Sequence, residues 1–276
     1  MLWQARRGFI SGRGAVDPAA GGGFGAHATA YLARTSGLDA TYINAFGAYI
    51  DGLDADNLFS KFDVLYWYGH QDSTNAQLNL VSTSFNATIH GSPTFTADRG
   101  FTGVDGSTTV YIDPGFNPTT ASSPKYVQNS AHISVWNLTN ATNTNPAVGG
   151  KNGASSINTY LFPKYVDSNS YFRINNDGLT GSISGLSPVG HFLGNVSNSG
   201  TNGLQGYYNG GLVTTESKAT SLPNFNLYSL GYNGAGTANG CGQQQLMFSL
   251  GSSLSSTDAA NFYNRNRTLA TALGVP

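Results

Sequence analysis

The sequence predicts a mainly β protein, an antiparallel β-sandwich with an N-terminal arm, a short helical preface and a C-terminal helix. Short β-like runs alternate with clusters of turn residues from residue 85 to residue 208, as is typical of antiparallel sheets. Apart from one helical pattern over 36–62, no long helix precedes Ser255, which argues against a fold of alternating strands and helices. A chain of 276 residues suits one sandwich with extra elements better than two separate domains.

Residues 1–30 predict an extended arm used in assembly or attachment. Its aromatic and basic anchors are Trp3, Arg6, Arg7 and Phe9. The glycines at 21–23 lose much backbone freedom on ordering, so regular structure is unfavourable there. Such an arm can become ordered on a neighbouring subunit, although a terminus without a function is an equally good interpretation.

Residues 31–63 predict a helical preface that packs on the sandwich. Apolar residues recur there at steps of three and four, as in an amphipathic helix: Ile43, Phe46, Ile50 and Leu53. A second short helical turn is expected over 54–62, with Asp54 as its N-cap.

The sandwich itself is expected over 64–276. It begins with an aromatic strand, and the predicted strands are 64–69, 85–89, 94–97, 108–112, 132–138, 158–162, 171–174, 191–196, 204–208, 227–232 and 245–250. Asn209 and Gly210 predict a type I′ hairpin turn, because both residue types tolerate a positive φ.

The C-terminal segment predicts a turn and then a capped helix. Residues 234–242 have the composition of a turn. A helix is expected over 255–273, because Ser255 and Asp258 stand at capping-box spacing and Gly274 supplies a left-handed stop.

The pattern "LYSLGYNG" followed by "QQLMFSLGSSLSSTDAANFYNRNRTLATALG", together with the run over 78–118, resembles a known family. That family is the concanavalin-A-like, laminin-G-like jelly-roll domain of bacteriophage tail and head structural proteins. The resemblance implies a jelly roll and a virion structural role, as a head fibre, decoration or tail component displayed on the particle exterior. It transfers no catalytic residue.

The same resemblance implies partners and a location. Other virion proteins, of the capsid or tail, would bind the arm, and the chain would be made in the cytoplasm of a bacterial host. A homo-oligomer is expected, with a trimer preferred because fibres and capsid sites often share threefold symmetry. Host surface glycan is a further expected contact.

Charge and cysteine content exclude several classes of partner and site. Only 10% of the residues are charged and the net charge is -1, so no field attracts a phosphate backbone, and we expect no nucleic acid. No apolar run approaches the ~20 residues that a membrane-spanning helix needs, so no membrane insertion is expected. Cys241 is the only cysteine, which excludes an intrachain disulfide, and we predict a buried or half-exposed, unreactive thiol.

We expect a protein without enzymatic activity. Glucanases of similar fold need two carboxyl groups on one strand, whereas Glu216 is the only glutamate of this chain. The five histidines are scattered singly, without a Gly-x-Ser-x-Gly motif or a pair at metal-binding spacing. A polysaccharide-degrading enzyme is the least favoured alternative.

No cofactor is expected, with calcium as the one exception to consider. Asp98, Asp105 and Asp113 lie in adjacent turns and offer the hard oxygen ligands that Ca²⁺ prefers. Aspartates in turns more often accept hydrogen bonds from their own backbone, which is the favoured interpretation.

The alternative function is a carbohydrate-binding, lectin-like module for host attachment. Sugar rings stack their apolar faces on aromatic side chains that are flanked by amide and hydroxyl groups. The aromatic residues considered are Trp67, Tyr68, Trp136, Tyr207, Tyr208, Tyr228 and Tyr232. Of these, the predicted glycan-binding residues are Trp67, Tyr207, Tyr208 and Tyr232.

Overall fold

The structure is a computed structural model, and it describes residues 23–152, 157–176, 182–198, 200–218 and 220–275. The helices are α1 (Ala26–Leu32), α2 (Ala40–Ala55) and α3 (Ser256–Ala272), with 3₁₀ turns at Phe59–Lys61 and Asn75–Gln77. The strands are β1 (Phe62–Trp67), β2 (Thr88–His90), β3 (Thr94–Thr96), β4 (Gly100–Thr102), β5 (Tyr111–Asp113), β6 (Ala131–Asn137), β7 (Val148–Lys151), β8 (Asn158–Phe162), β9 (Ser170–Asn176), β10 (Ser182–Ile183), β11 (Gly190–Val196), β12 (Gly200–Tyr208), β13 (Gly211–Lys218), β14 (Tyr228–Ser229), β15 (Gly231–Gly234), β16 (Thr237–Gly240) and β17 (Gln244–Gly251).

The strands form two sheets, which confirms the predicted antiparallel sandwich. Sheet 1 has eight strands in the order β13-β12-β11-β6-β17-β4-β3, with β1 also paired to β17. Sheet 2 has nine strands, in the order β10-β9-β8-β7-β14-β5-β2, with the β15–β16 hairpin attached to β7. The pairing of β15 with β7 is parallel, and all the other strand pairs are antiparallel.

Sheet 1 is covered on both faces. On β6, Ile133 and Val135 point into the core between the two sheets, while Trp136 points into a second core beneath the helices. On β1 the same alternation sends Val64 and Tyr66 inward and Trp67 toward the helices. All seven residues of β6 are therefore buried, as expected for a central strand whose two faces are both covered.

The helices pack on the outer face of sheet 1. α2 buries Phe46, Ile50 and Leu53 in the second core, whereas Ile43 is 37% exposed and lies off the buried face. The predicted cap of the second helical turn is wrong, because Asp54 belongs to the last turn of α2.

The first helix was not predicted. α1 begins at Ala26, inside the predicted arm 1–30, although its sequence AHATAYL follows a glycine-rich stretch. Its Ala28 and Tyr31 are buried in the second core, so tertiary packing stabilises a segment whose surroundings suggested an irregular chain. The four predicted anchors of the arm, Trp3, Arg6, Arg7 and Phe9, lie outside the described residues.

The C-terminal helix is confirmed in detail. The Ser255 hydroxyl accepts from the Asp258 backbone N–H at 3.1 Å, and the Asp258 carboxylate accepts from the Ser255 N–H at 2.8 Å. Gly274 then adopts φ +68°, the left-handed conformation expected of a helix stop.

The structure confirms one predicted turn and corrects another. Asn209 and Gly210 have φ +49° and +79°, and Tyr208 pairs with Gly211 across them, so the predicted hairpin turn is confirmed. The prediction of a simple turn over 234–242 is wrong, because most of that stretch forms the β15–β16 hairpin. Among the described residues, no helix is long and apolar enough to cross a membrane.

Candidate functional site

A cleft with a volume of about 440 Å³ opens at sheet 2. It is lined by residues of β7, β8, β9 and β15 and of the adjoining loops: Thr144, Asn145, Pro146, Lys151, Asn158, Tyr160, Phe162, Tyr165, Tyr171, Arg173 and Tyr232. The neighbouring positions on the same strands, Leu161 and Phe172, point into the core between the sheets. Strand alternation therefore places the cleft on the outer face of sheet 2, the face that belongs to neither core.

Four of the five aromatic rings in the cleft support one another. The Phe162 ring lies edge-to-face on Tyr160 at 5.4 Å and on Tyr165 at 4.9 Å between ring centroids. Tyr171 completes the group at 6.1 Å from Phe162 and 6.0 Å from Tyr165. Such edge-to-face contacts stabilise the ring orientations by roughly 0.5–1.5 kcal/mol each, so this wall of the cleft is preorganised.

A tight loop between β8 and β9 positions Tyr165 and Tyr171. The Tyr165 N–H donates to the Asn169 carbonyl at 2.8 Å, and the Ser168 N–H donates back to the Tyr165 carbonyl at 2.9 Å. Asp167, in this loop, accepts a short hydrogen bond from the Tyr171 hydroxyl. That bond raises the pKa of the Tyr171 hydroxyl and lowers the pKa of the Asp167 carboxyl.

Two cations lie over rings on different strands of the cleft. The Arg173 guanidinium carbon is 4.7 Å from the Tyr160 ring centroid, and the two residues are register partners on β9 and β8. The Lys151 Nζ is 5.5 Å from the Tyr232 ring centroid, so β7 and β15 supply the second pair. Burial raises the pKa of the Tyr160 hydroxyl, and the charge of Arg173 opposes that shift.

Of the predicted glycan-binding residues, Tyr232 is the one that lies in this cleft. Trp67 and Tyr207 are each 1% exposed, in the second core, so the prediction that they form surface platforms is corrected. Both sit on strands of sheet 1, whose outer face the helices cover. Tyr208 is half-buried, and its hydroxyl donates to the Val189 carbonyl at 2.8 Å, away from the cleft.

Sequence reasoning missed most of the cleft. Tyr160, Phe162, Tyr165, Tyr171 and Arg173 all come from the segment 160–173, "YLFPKYVDSNSYFR". The density of aromatic residues in two predicted strands and the short loop that joins them is a signal that could have identified the segment.

The structure does not bring the three calcium candidates together. The Asp105 carboxylate accepts from the Thr144 hydroxyl at 2.9 Å, and the Asp113 carboxylate accepts from the Gly115 N–H at 2.7 Å. Asp98 has one buried carboxylate oxygen without a hydrogen-bond partner. Within the described parts of the chain, no group of three or more His, Cys, Asp or Glu residues could hold a metal ion.

The side chains of His132, Ser249 and Ser134 form a buried hydrogen-bond network on sheet 1. His132 Nδ1 lies 2.6 Å from the Ser252 carbonyl and donates to it, which leaves Nε2 to accept from the Ser249 hydroxyl at 3.1 Å. The Ser134 and Ser249 hydroxyls are 2.7 Å apart. Burial lowers the pKa of His132 to about 4, and all three side chains are inaccessible to solvent. This hydrogen-bond network therefore has a structural role.

Cys241 is fully buried, as predicted for an unreactive thiol. Burial raises its pKa to about 12, so the nucleophilic thiolate is scarce near neutral pH.

No family model and no curated protein matches this sequence. Solved structures do match the fold. A Trypanosoma rangeli sialidase has a TM-score of 0.52 and 10% identity, over 82% of this chain and 39% of the sialidase chain. A structure of botulinum neurotoxin type C, whose cell entry depends on interaction with two ganglioside molecules, has a TM-score of 0.51 and 14% identity, over 76% of this chain and 52% of the toxin chain.

A third match is domain 4 of a GH43 extracellular arabinanase from Geobacillus stearothermophilus, in complex with arabinotriose. It has a TM-score of 0.49 and 13% identity, over 74% of this chain and 98% of that chain. This chain spans less than two thirds of the sialidase and toxin chains, so their overall activities are not transferred.

The comparisons correct one expectation. The prediction that the protein is not an enzyme is wrong as an inference from the fold, because a sialidase shares that fold. At 10% identity the same likeness assigns no activity to this chain. The comparisons show a β-sandwich of the jelly-roll type, and they show the fold alone.

Proposed function

We propose that the protein binds carbohydrate in the cleft of sheet 2. The observation that carries this proposal is the convergence of five aromatic side chains, Tyr160, Phe162, Tyr165, Tyr171 and Tyr232, in one cleft of about 440 Å³. A cleft of this size lies within the range of roughly 300–1,000 Å³ that is usual for small-ligand sites.

The lining matches the chemistry of a sugar ring. Pyranose rings present apolar C–H faces that stack on aromatic rings, and their hydroxyl groups point outward from the ring edge. Thr144, Asn145 and Asn158 place hydroxyl and amide groups beside the aromatic wall, where they can pair with sugar hydroxyls. The lining therefore offers aromatic rings to the face of a sugar and polar groups to its edge.

The structural neighbours are consistent with this function. The neurotoxin structure with a TM-score of 0.51 belongs to a protein that interacts with gangliosides, which are glycolipids, and the sialidase is a glycan-processing protein. Because these proteins share only the fold with this chain, carbohydrate binding is inferred from the residues of its own cleft.

The virion role implied by the sequence resemblance stays a prediction, and the solved structures reported above give it no support. The same holds for the predicted trimer, for attachment through residues 1–30 and for location on a particle exterior. A host-attachment protein that binds surface glycan would satisfy both the proposed function and that resemblance.

The test is a glycan array followed by calorimetric titration with the best array ligand, using the full chain. Tyr232→Ala removes one wall of the cleft without touching either hydrophobic core, and we expect affinity to fall about tenfold or more, as for an aromatic anchor. Tyr263→Ala is the matched control, because Tyr263 is half-buried and stacks on Trp136 on the helical side.

Equal affinity of the wild type and Tyr232→Ala for that ligand would overturn the assignment of the cleft. An array without any bound glycan would overturn the proposed function. The same incubations are assayed for released reducing ends, which separates a binding module from an enzyme acting on the bound glycan.

A further inference from the structure

We infer that the cleft of sheet 2 selects sugars that carry a negative charge. This inference depends on the proposed carbohydrate-binding function and names the class of sugar. It starts from the charges of the lining, which includes Lys151 and Arg173 and, among the described residues, no Asp or Glu.

The clustering of these cations is unusual for this chain. Lys and Arg together account for 13 residues of 276, and the net charge is -1, so a paired positive surface is not a general property of the molecule. Arg173 is 7% exposed, yet it lines the cleft, which means that its charge is held in a partly dehydrated setting. Charges in such a setting interact more strongly with a ligand than charges on an open surface do.

Each cation is held beside an aromatic ring. Arg173 lies over Tyr160 at 4.7 Å and Lys151 lies over Tyr232 at 5.5 Å, and β8 separates the strands that carry the two cations. Each cation covers one face of its tyrosine ring, so a sugar bound beside that ring or on its other face can direct an acidic substituent to the cation. The charge-assisted hydrogen bond that forms is roughly twice as strong as a neutral one.

Two described carboxylates beside the lining accept hydrogen bonds from its side chains. Asp105 accepts from the Thr144 hydroxyl at 2.9 Å, and Asp167 accepts from the Tyr171 hydroxyl and from the Asn169 N–H at 2.9 Å. These bonds hold two lining side chains in place, while neither carboxylate is part of the lining itself.

The experiment compares ligands that differ only in charge. Sialyllactose is titrated against its methyl ester, and trigalacturonate against its methyl ester, so that the two members of each pair differ in charge and share the same sugar residues. We expect the acidic member of at least one pair to bind about tenfold tighter or more, since hydrogen bonds to charged groups are worth about 1.5–3 kcal/mol. Raising the NaCl concentration about tenfold should reduce that preference, because salt screens the attraction.

Variants assign the preference to the two cations. Lys151→Gln should lower the affinity for the acidic ligand about tenfold and leave the neutral partner unchanged, and Lys151→Arg should restore it. Arg173→Lys keeps the buried charge and tests whether the planar fork of arginine matters. Arg267→Gln is the control, because it removes the same charge from α3 on the helical side of the molecule.

The outcomes separate this inference from the proposed function. If acidic and neutral members bind equally and Tyr232→Ala weakens both, carbohydrate binding stands and the charge selection is wrong. If the acidic preference is the same in Lys151→Gln as in the wild type, whether or not Arg267→Gln changes it, the selection does not depend on the cleft and the inference is overturned. If no member of either pair binds and the array is also empty, both proposals fail.

Discussion

At the scale of single residues, three buried histidines mark the side of the molecule where sheet 1 meets the helices. His70 stacks on Phe46 at 4.6 Å, and His191 lies edge-on to Phe262 at 5.3 Å. Burial lowers the pKa of His70 and His132 to about 4 and the pKa of His191 to about 3. All three are therefore neutral in the folded protein over the whole range in which free histidine becomes protonated.

We expect stability to fall with pH below about 6.5. A histidine whose folded pKa is depressed is protonated first in the unfolded chain, so its contribution is complete above about pH 6.5 and is lost as the pH falls toward 4. Each of the three should cost about 2 kcal/mol of unfolding free energy at pH 5 relative to pH 7. Denaturant unfolding at both pH values measures this difference.

His191→Phe isolates one of the three, because the Nε2 atom of His191 is buried without a hydrogen-bond partner and no bond is lost there. The variant should lose about 2 kcal/mol less than the wild type between pH 7 and pH 5. The measured quantity is the change in unfolding free energy between pH 7 and pH 5, because the larger phenylalanine ring changes stability equally at both pH values. An unchanged pH dependence in this variant would contradict the assignment.

At the scale of elements, two ion pairs join α3 to the segment that precedes β1, one at the first turn of α3 and one near its middle. The Lys61 ammonium lies 2.9 Å from the Asp258 carboxylate, and the Arg265 guanidinium lies 2.7 Å from the Asp56 carboxylate at the end of α2. The capping box at Ser255 thus sits beside an ion pair, and Asp258 takes part in both.

Ser255→Ala should destabilise the protein by about 1 kcal/mol, within the roughly 0.5–2 kcal/mol seen for loss of an N-cap. The substitution removes the hydroxyl that accepts from the Asp258 N–H at 3.1 Å. Thr257→Ala, two positions along and exposed, keeps the cap and serves as the matched control. Chemical unfolding of both variants checks the prediction, and equal stability of the two would refute it.

Elements with a strong local pattern were predictable from the sequence, and elements defined by their neighbours were not. β8 was predicted with its observed bounds, because a run of strand-favouring residues, including Tyr160 and Phe162, follows a turn-rich stretch and ends before Pro163. β7 was missed, because Gly149 and Gly150 leave it no side-chain pattern. A Cβ on Gly149 would lie 1.9 Å from the Thr159 carbonyl oxygen, so close strand pairing requires glycine there.

The candidate site was predictable only at Tyr232. An aromatic residue on a strand belongs to a core or to a ligand surface according to which sheet it joins and what covers that sheet. For Trp67 and Tyr207 this is decided by the docking of helices that are far away in sequence, including α3. No local period carries that information. The sequence identified the correct residue types, but three of the four predicted residues, Trp67, Tyr207 and Tyr208, lie on sheet 1 and outside the cleft.

At the scale of the whole molecule, Phe24 and Gly25, at the start of the described chain, contact α2. The ring of Phe24 lies where a Cβ of Gly47 would be, at 2.2 Å, and the Gly25 N–H donates to Asp51 at 3.0 Å. These contacts dock the start of α1 against α2.

Deleting residues 1–22 keeps Phe24 and Gly25 and gives the reference thermal midpoint. Deleting residues 1–25 removes Phe24 and the Gly25 contact as well, and we expect a lower midpoint than that reference because aromatic packing is lost. Calorimetric scans of the two truncated proteins make the comparison. Equal midpoints would contradict the role of Phe24 and Gly25 in docking α1 against α2.

The two sheets should differ in how well they tolerate amino-acid substitutions. Sheet 1 supports both cores, so substitutions on either of its faces disturb packing. The outer face of sheet 2 supports neither core, and a single segment of 14 residues, 160–173, supplies five of the eleven residues of its cleft. Exchange of the five cleft residues of that segment, with Leu161 and Phe172 kept in the core, should redirect the proposed ligand preference at little cost in stability. We expect divergence among natural variants of this protein to concentrate at those five positions.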